Sequence, residues 1–393
     1  LRCLVGSEMC IRDRIWSLGK NAGVTSLMRL ISALSNNSAV MVFKPDEEVL
    51  SNVKYKNFKK TKNAFSNKYI SYFFNIFSYF QLNTKYFIAG LRLRQKPDVI
   101  YVSSNLPTIA GYLLSKYYRI PYIQRQYGTF LFAKLNNWLE LIKYHAEVIS
   151  FLLPAQKFII TDDGTYGDRV AKHFNISNEK ILFLKNGIDK EKKSLCKEEC
   201  RKYLIEKLNL PPNAFLTITV SRLVKWKRVD RAINAFNMIK EKDAFLLIIG
   251  DGEEREHYES LKNNSNIIFL GALSNLEVQK YMVACDLFLS LYDLSNLGNP
   301  LLEAMNAGLP IITLNNGNTK SVYKNKNLIL LPCSSEEDIV KNVYNNILLL
   351  KENVVLRSKI AKNAKLYAKE EILSWEDRIS MEVKEILYWS NIN

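Results

Sequence analysis

A chain of 393 residues is too long for one ordinary hydrophobic core, so two domains are expected. Hydrophobic residues make up 48% and charged residues 24%, a globular balance, and no apolar run reaches the roughly 18 residues a membrane-spanning helix needs. Lys and Arg number 55 against 39 Asp and Glu, a net charge of +16 that points to an anionic partner: a nucleotide diphosphate, an anionic membrane or a nucleic acid.

The chain opens with "LRCLVGSEMCIRDR", and Arg12, Asp13 and Arg14 fall where a buried first strand would be apolar. These residues resemble a short peptide that recurs at the ends of translated environmental reads. Residues 1–14 are therefore expected to be non-native and peripheral, with the true first strand partly missing and Gly19 and Gly23 left as its loop. Short apolar runs then follow: AVMVF (39–43), DVIYV (98–102), PYIQR (121–125), KFIIT (157–161) and ILFL (181–184). A second series reads FLTITV (215–220), FLLIIG (245–250), NIIFLG (266–271), DLFLS (286–290), LPIIT (309–313) and LILL (328–331). Most pairs are separated by enough chain for a crossover helix. Each half therefore reads as a parallel, doubly wound α/β sheet. The charged "KEKKSLCKEECRKYLIEKLNLPPNA" between the halves reads as a connector, and the stretch from about Ala361, with Trp375 and Trp389, as helix.

Between Glu48 and Asp98 there is no acidic residue. That interval holds Lys54, Lys56, Lys59, Lys60, Lys62, Lys68, Lys85, Arg92, Arg94 and Lys96 around "YISYFFNIFSYF", residues 69–80. A basic, aromatic segment too short to span fits an interfacial helix on an anionic membrane. The plainer reading is a helix packed on its own domain with a solvated basic face. Nucleic acid is not expected as a partner, because no recognisable binding module accompanies the aromatics. The cysteines (Cys3, Cys10, Cys196, Cys200, Cys285, Cys333) are scattered, and with three histidines no zinc constellation forms around them, so reduced intracellular thiols and no metal are expected. His145 and His173 read as ordinary helix residues.

The stretch "LYDLSNLGNPLLEAMNAGLPIIT", residues 291–313, is the most informative. Asn299 suits an N-cap, Pro300 the first helical position and Gly308 the left-handed position after the last turn. A helix from about Pro300 to Ala307, followed by a buried strand, would point free N–H groups and its dipole into the preceding loop, a ready anion site.

Four signals stand in order: "VSRLVKWKRVDRAINAF" with Arg222 and Lys227, "IIGDGEER" with Gly250 and Gly252, "IIFLGALS" with Gly271 and Ala272, and the stretch carrying Glu303. Together they resemble the nucleotide-sugar domain of retaining glycosyltransferases of the GT-B fold, family 4, also called glycosyl transferases group 1. The family pattern reads R-L-x-x-x-K-G, G-D-G, F-L-G, then E-G-F-G-x-x-x-x-E-A-M-A-x-G-x-P. "NGID" (Asn186 to Asp189) is similar to the family's N-G-V-D, and "IPYIQRQYG" to its I-P-x-V-x-x-x-H-G. The resemblance runs from about Ile15 onward. It implies two Rossmann-like domains facing an interdomain cleft: residues 1–190 for the acceptor, 191–370 for the nucleotide-sugar, and a C-terminal helix, 371–393, packing back on the first.

The same resemblance assigns roles. Arg222 and Lys227 would hold the diphosphate where negative charge grows as the sugar–phosphate bond breaks, so no metal or other cofactor is expected and the nucleotide-sugar is a co-substrate. Glu303 would accept hydrogen bonds from ribose hydroxyls. Gly271 and Ala272 would offer backbone groups to the base. Asp293, Ser295, Asn296, Gly298 and Asn299 would line the sugar and phosphate. Two departures stand out. The family's first glutamate, eight positions before Glu303, is Ser295, with Asp293 nearby as another carboxylate. Tyr127 stands where the family often has His near the acceptor; its plainer reading is a packed strand-end aromatic.

The expected activity is sugar transfer with retention to a hydroxyl of a glycan or lipid-linked acceptor in bacterial surface polysaccharide synthesis. The expected location is the cytoplasm, peripheral on the inner face of the cytoplasmic membrane. A non-catalytic sugar-nucleotide-binding subunit regulating a partner transferase is the alternative, favoured by the missing glutamate and disfavoured by the intact Arg222, Lys227 and Glu303. An epimerase on the same fold would want more acid and base groups than this chain offers.

Overall fold

The computed structural model describes residues 2–7, 25–35, 39–44, 54–57, 68–190 and 195–391, and the statements that follow concern those residues. The chain divides into two compact units, 1–184 with 375–393, and 185–374. Each is built on one sheet in which every observed pairing is parallel.

In the first unit the strands are β1 (Arg2–Ser7), β2 (Ala39–Lys44), β3 (Lys54–Asn57), β4 (Val99–Ser103), β5 (Tyr122–Gln126), β6 (Lys157–Thr161) and β7 (Ile181–Leu184), in the order β3-β2-β1-β4-β5-β6-β7. β4 and β5 are buried at every position, the expected fate of a strand covered by helices on both faces. The helices are α1 (Thr25–Ser35), α2 (Lys68–Leu91), α3 (Thr108–Tyr118), α4 (Trp138–Lys143), α5 (His145–Leu152), α6 (Gly167–His173) and, from the far end of the chain, α14 (Trp375–Ser390). α1 buries Leu27, Leu30, Ile31 and Leu34, a 3.6-residue stripe, against Trp375, Ile379 and Ile386 of α14. α14 also carries charge into the core. The Glu382 carboxylate meets the Arg125 guanidinium at 3.3 Å and is bonded by Arg378 and the Tyr101 hydroxyl, all four buried.

The sheet corrects one expectation. Residues 1 to about 13 were to be peripheral, yet Arg2–Ser7 lie in the middle of the sheet, paired with β2 on one side and β4 on the other. A strand bonded along both edges has its backbone groups satisfied by neighbours, so it does not need a long apolar run. Arg12, Asp13, Arg14, Gly19 and Gly23 lie outside the described residues. β3 was likewise not expected, since "KYKN" is half basic.

One buried carboxyl gives this unit a pH dependence. Glu147, 6% exposed, accepts the Phe130 amide at 3.0 Å, and burial pushes its carboxyl from 4.5 up to about 7. The native state therefore holds the proton more tightly than the unfolded chain. That stability is complete below pH 4.5 and is lost as pH rises through 7. Melting wild type and Glu147→Gln at pH 5 and pH 8 should show the wild type losing roughly 2–3 kcal/mol more than the variant, which keeps an acceptor for Phe130 but has no proton to lose. Parallel curves would show that Glu147 is already ionised at pH 5.

The second unit holds β8 (Phe215–Val220), β9 (Ala244–Ile249), β10 (Ile267–Gly271), β11 (Leu287–Ser290), β12 (Ile311–Leu314) and β13 (Ile329–Leu331), ordered β10-β9-β8-β11-β12-β13. Its helices are α7 (Lys197–Leu208), α8 (Val229–Asn237), α9 (Arg255–Ser260), α10 (Asn275–Ala284), α11 (Asn299–Ala307), α12 (Glu336–Glu352) and α13 (Val354–Glu371). The segment read as a connector contains α7, which buries Cys200 and Leu204 in the core beside Met282 and Cys285. The unit's ends meet where the Ile188 amide donates to the Leu373 carbonyl at 3.0 Å, so it begins at Lys185 and closes at Ser374.

Candidate functional site

β8 is flanked by β9 and β11, and the chain winds from β8 to one edge through β9 and β10, then to the other through β11, β12 and β13. The loops after β8 and β11 therefore part at adjacent carboxyl ends. In an open α/β sheet that switch point is where ligands bind.

The loop after β8 is stitched to the loop after β9. Ser221 and Leu223 amides donate to Ile249 and Asp251 carbonyls at 3.0 and 2.9 Å, and the Glu254 amide to the Leu223 carbonyl at 2.9 Å. Gly252 makes this closeness possible, because a Cβ there would stand 2.3 Å from the Leu223 carbonyl oxygen. Arg222 is thus held from behind. A 3-10 turn, Lys225–Lys227, follows. The Lys227 ammonium lies 3.9 Å from the Tyr292 ring centroid and 4.3 Å from that of Trp226, with the Arg222 guanidinium 5.9 Å from Trp226. Both expected diphosphate-binding cations are therefore gathered about one indole. Sequence reasoning missed Trp226, which lies between Arg222 and Lys227, and Tyr292, which opens the loop after β11. Tyr292 is buried, and its hydroxyl donates to the Val220 carbonyl at 2.8 Å, so it ties the β11 loop to the end of β8.

The loop after β11 leads through Ser295, in the left-handed region at φ 62°, to the N-terminus of α11. The cap is Gly298 and not Asn299, and glycine has no side chain to offer the first-turn amides. The Asn299 amide oxygen instead accepts from Asn186 at 2.6 Å, one residue inside the helix. At Gly298 an added Cβ would come no nearer than 3.4 Å to the protein's own atoms, so packing does not demand glycine there. Gly308, at φ 74°, ends the helix as expected, and Glu303 sits one turn in, half-buried.

Two expectations change. Asn296, expected to meet the donor, is 1% exposed: its side chain donates to the Tyr292 carbonyl at 2.7 Å and accepts from the Tyr292 amide at 3.1 Å, so it shapes the loop from inside. The Asp293 carboxylate pairs with Arg231 at 2.8 Å and Arg228 at 3.4 Å. Arg228 in turn binds Asp230 and Glu336 at 2.9 and 2.7 Å. Those arginines hold the Glu336 carboxyl down at about 2.

At the end of β10, Gly271 takes φ 68° and its carbonyl accepts the Gly250 amide at 2.8 Å, so that oxygen is engaged within the protein. Ala272 follows it, half-buried. In the first unit Tyr127 shares a 2.7 Å hydrogen bond with the Ser103 hydroxyl, and the Arg125 guanidinium stands 4.5 Å from its ring. That is the packing of a strand-end aromatic. Gly19 and Gly23 lie outside the described residues. Among the described residues no group of three or more His, Cys, Asp or Glu is placed to hold a metal ion.

The family model "Glycosyl transferases group 1" matches residues 201–367, the stretch that builds this site. The sulfoquinovosyl transferase of Arabidopsis thaliana is 27% identical over 57% of this chain and 44% of its own length. The N-acetyl-alpha-D-glucosaminyl L-malate synthase of Bacillus anthracis is 27% identical over 57% of this chain and 58% of its own. The chain thus spans about half the length of these curated relatives. The Anabaena protein HepE, solved in complex with UDP and glucose, superposes with a TM-score of 0.72 at 16% identity, covering 98% of this chain and 99% of that one. The fold is GT-B.

Proposed function

We propose that this chain, whose residues 201–367 match the glycosyl transferases group 1 family model, moves a sugar from a nucleotide-sugar, with retention, to a hydroxyl of a glycan or lipid-linked acceptor. The observation that carries the reading is the meeting, at the β8–β11 switch point, of Arg222 and Lys227 with the loop that opens into α11. Two cations and a helix N-terminus capped by glycine answer the charge of a departing diphosphate. Negative charge grows there as the glycosidic bond to phosphate breaks, and fixed donors stabilise it without reorganising. The two side chains supply the positive charge, so no metal is invoked. Glu303 takes the ribose hydroxyls. The acceptor hydroxyl attacks from the face the phosphate vacates, which gives retention without an enzymic nucleophile, and positioning does most of the work.

The acceptor side is assigned to the first unit, and the aromatic α2 within the acid-free, basic interval supports a location on the anionic inner face of the cytoplasmic membrane in surface polysaccharide synthesis. Both relatives are named for reactions of a sugar, and the Anabaena protein was solved with UDP and glucose, so a UDP-sugar is the first donor to try. One observation favours a non-catalytic sugar-nucleotide-binding subunit: Asp293, the carboxylate nearest the Ser295 position, is already paired with arginine. Turnover separates the two readings.

A thermal-shift series with UDP-, GDP- and ADP-glucose tests the proposal. The matching donor at a hundred times its Kd should stabilise the protein by about 2.7 kcal/mol. Gly298→Ala should fold normally, since its methyl meets nothing closer than 3.4 Å, yet lose the shift, because the methyl stands where phosphate approaches the backbone. Donor hydrolysis or transfer by the wild type then marks an enzyme. No shift with any nucleotide-sugar would end the reading.

A further inference from the structure

We infer that Arg228, Arg231 and Glu336 form a clamp that locks the turn carrying Lys227 against the loop after β11, which makes Arg228 and Glu336 positioning residues for the diphosphate-binding cations. Arg228 sits at φ 46°, a left-handed conformation that favours glycine, and the pattern this segment resembles does end in glycine. An arginine in that conformation works against its own backbone, so its side chain must return something. Its guanidinium reaches three carboxylates: Asp230 beside it at 2.9 Å, Glu336 at 2.7 Å and Asp293 at 3.4 Å.

Arg231, one turn along α8 with a side chain only 4% exposed, completes the arrangement. It donates to the Leu291 carbonyl at 2.7 Å and pairs with Asp293 at 2.8 Å and Glu336 at 2.6 Å. The Asp293 amide also donates to the Trp226 carbonyl at 3.0 Å, joining loop to turn through the backbone. Glu336 opens α12 behind the Ser335 cap, where the helix dipole favours its charge. Its carboxyl, held at about 2, stays ionised at any working pH. Three elements, the turn before α8, the loop after β11 and the start of α12, are thereby bound at one point. Half-exposed pairs of this kind contribute little when isolated. Here the buried Arg231 makes each of the others dependent on the rest.

The test uses the whole chain with Arg228→Gly, Glu336→Gln and the double variant. Glycine accepts the left-handed backbone, so Arg228→Gly should keep the wild-type melting temperature within a few degrees while removing the side chain. With no donor present, hydrogen exchange in the peptide spanning residues 291–297 should quicken about tenfold in each variant, with little more in the double, because the residues act as one unit. With UDP-glucose, if the proposed function holds, kcat should fall about tenfold while KM changes less than about twofold. Unchanged exchange in this peptide in both single variants overturns the clamp, whatever the donor is. Faster exchange with undiminished kcat overturns the positioning role. A wild type inert toward UDP-glucose counts against that donor and leaves the exchange arm to decide the clamp.

Discussion

Lys227→Ala and Arg222→Ala should each lower turnover by roughly a hundredfold or more, while Ser295→Ala costs far less. The expectation follows from where charge changes in the reaction. The diphosphate gains a full unit of negative charge as the sugar leaves, and a cation placed in advance stabilises that state more than the ground state. Removing one such donor typically costs about 2.7–4 kcal/mol of barrier. Lys227 is held over Tyr292 and Trp226, and Arg222 beside Trp226, so neither has to be recruited. Both are only partly buried, so alanine should leave the fold intact, which a melt checks. The signature is kcat and kcat/KM falling together. Ser295 occupies the family's glutamate position, but its left-handed backbone turns the loop toward α11, and alanine can take much the same conformation. If Ser295→Ala abolishes transfer while Lys227→Ala does not, Lys227 does not stabilise the leaving group and the chemistry rests on the loop after β11.

The second large effect expected is at a membrane. The purified protein should pellet with vesicles containing anionic lipid and far less with neutral ones. α2 is apolar on two faces. Tyr79, Leu82, Tyr86 and Ala89 enter the core, while Phe73, Phe77, Phe80, Ile88 and Leu91 point outward, the first three at 70%, 65% and 49% exposure. Those outward residues recur at helical spacing, so they form one stripe. The stripe belongs to the acid-free interval, and each basic residue near an anionic surface contributes about 1 kcal/mol. A second copy of the chain is a poor occupant, since it would bring two acid-free segments together. α4 also exposes Trp138, Leu139 and Ile142. No helix among the described residues is long and apolar enough to cross a bilayer, and the contact expected of an exposed aromatic stripe is an interfacial one. Salt should weaken binding, and Phe73, Phe77 and Phe80 to Ser should weaken it further without unfolding. Phe74, half-buried, is left alone. Negligible pelleting with both vesicle types would return the stripe to an ordinary surface.

Much of this was readable from neighbouring residues. The eleven apolar runs became β2, β4 to β7 and β8 to β13 with boundaries shifted by a residue or two, because a strand covered on both faces must be apolar along its length. Gly308 was readable as a helix end because only a few residues accept its backbone. Arg222 and Lys227 were readable as a pair because their spacing after a strand is short. What stayed hidden depended on partners far along the chain. β3 lacks an apolar run and β1 has only Cys3, Leu4 and Val5; pairing with β2, and for β1 also with β4, makes them strands. Asp293 looked like a spare carboxylate until folding set it within reach of Arg228, 65 positions away, which also binds Glu336, 108 positions beyond Arg228. Asn296 looked like a ligand until burial turned its amide inward. Backbone preference and apolar periodicity are properties of a few adjacent residues, so the sequence by itself determined the elements and the cation motif. The partner of a charge depends on which distant loops the closed sheet brings to one edge, and only the tertiary structure decided that.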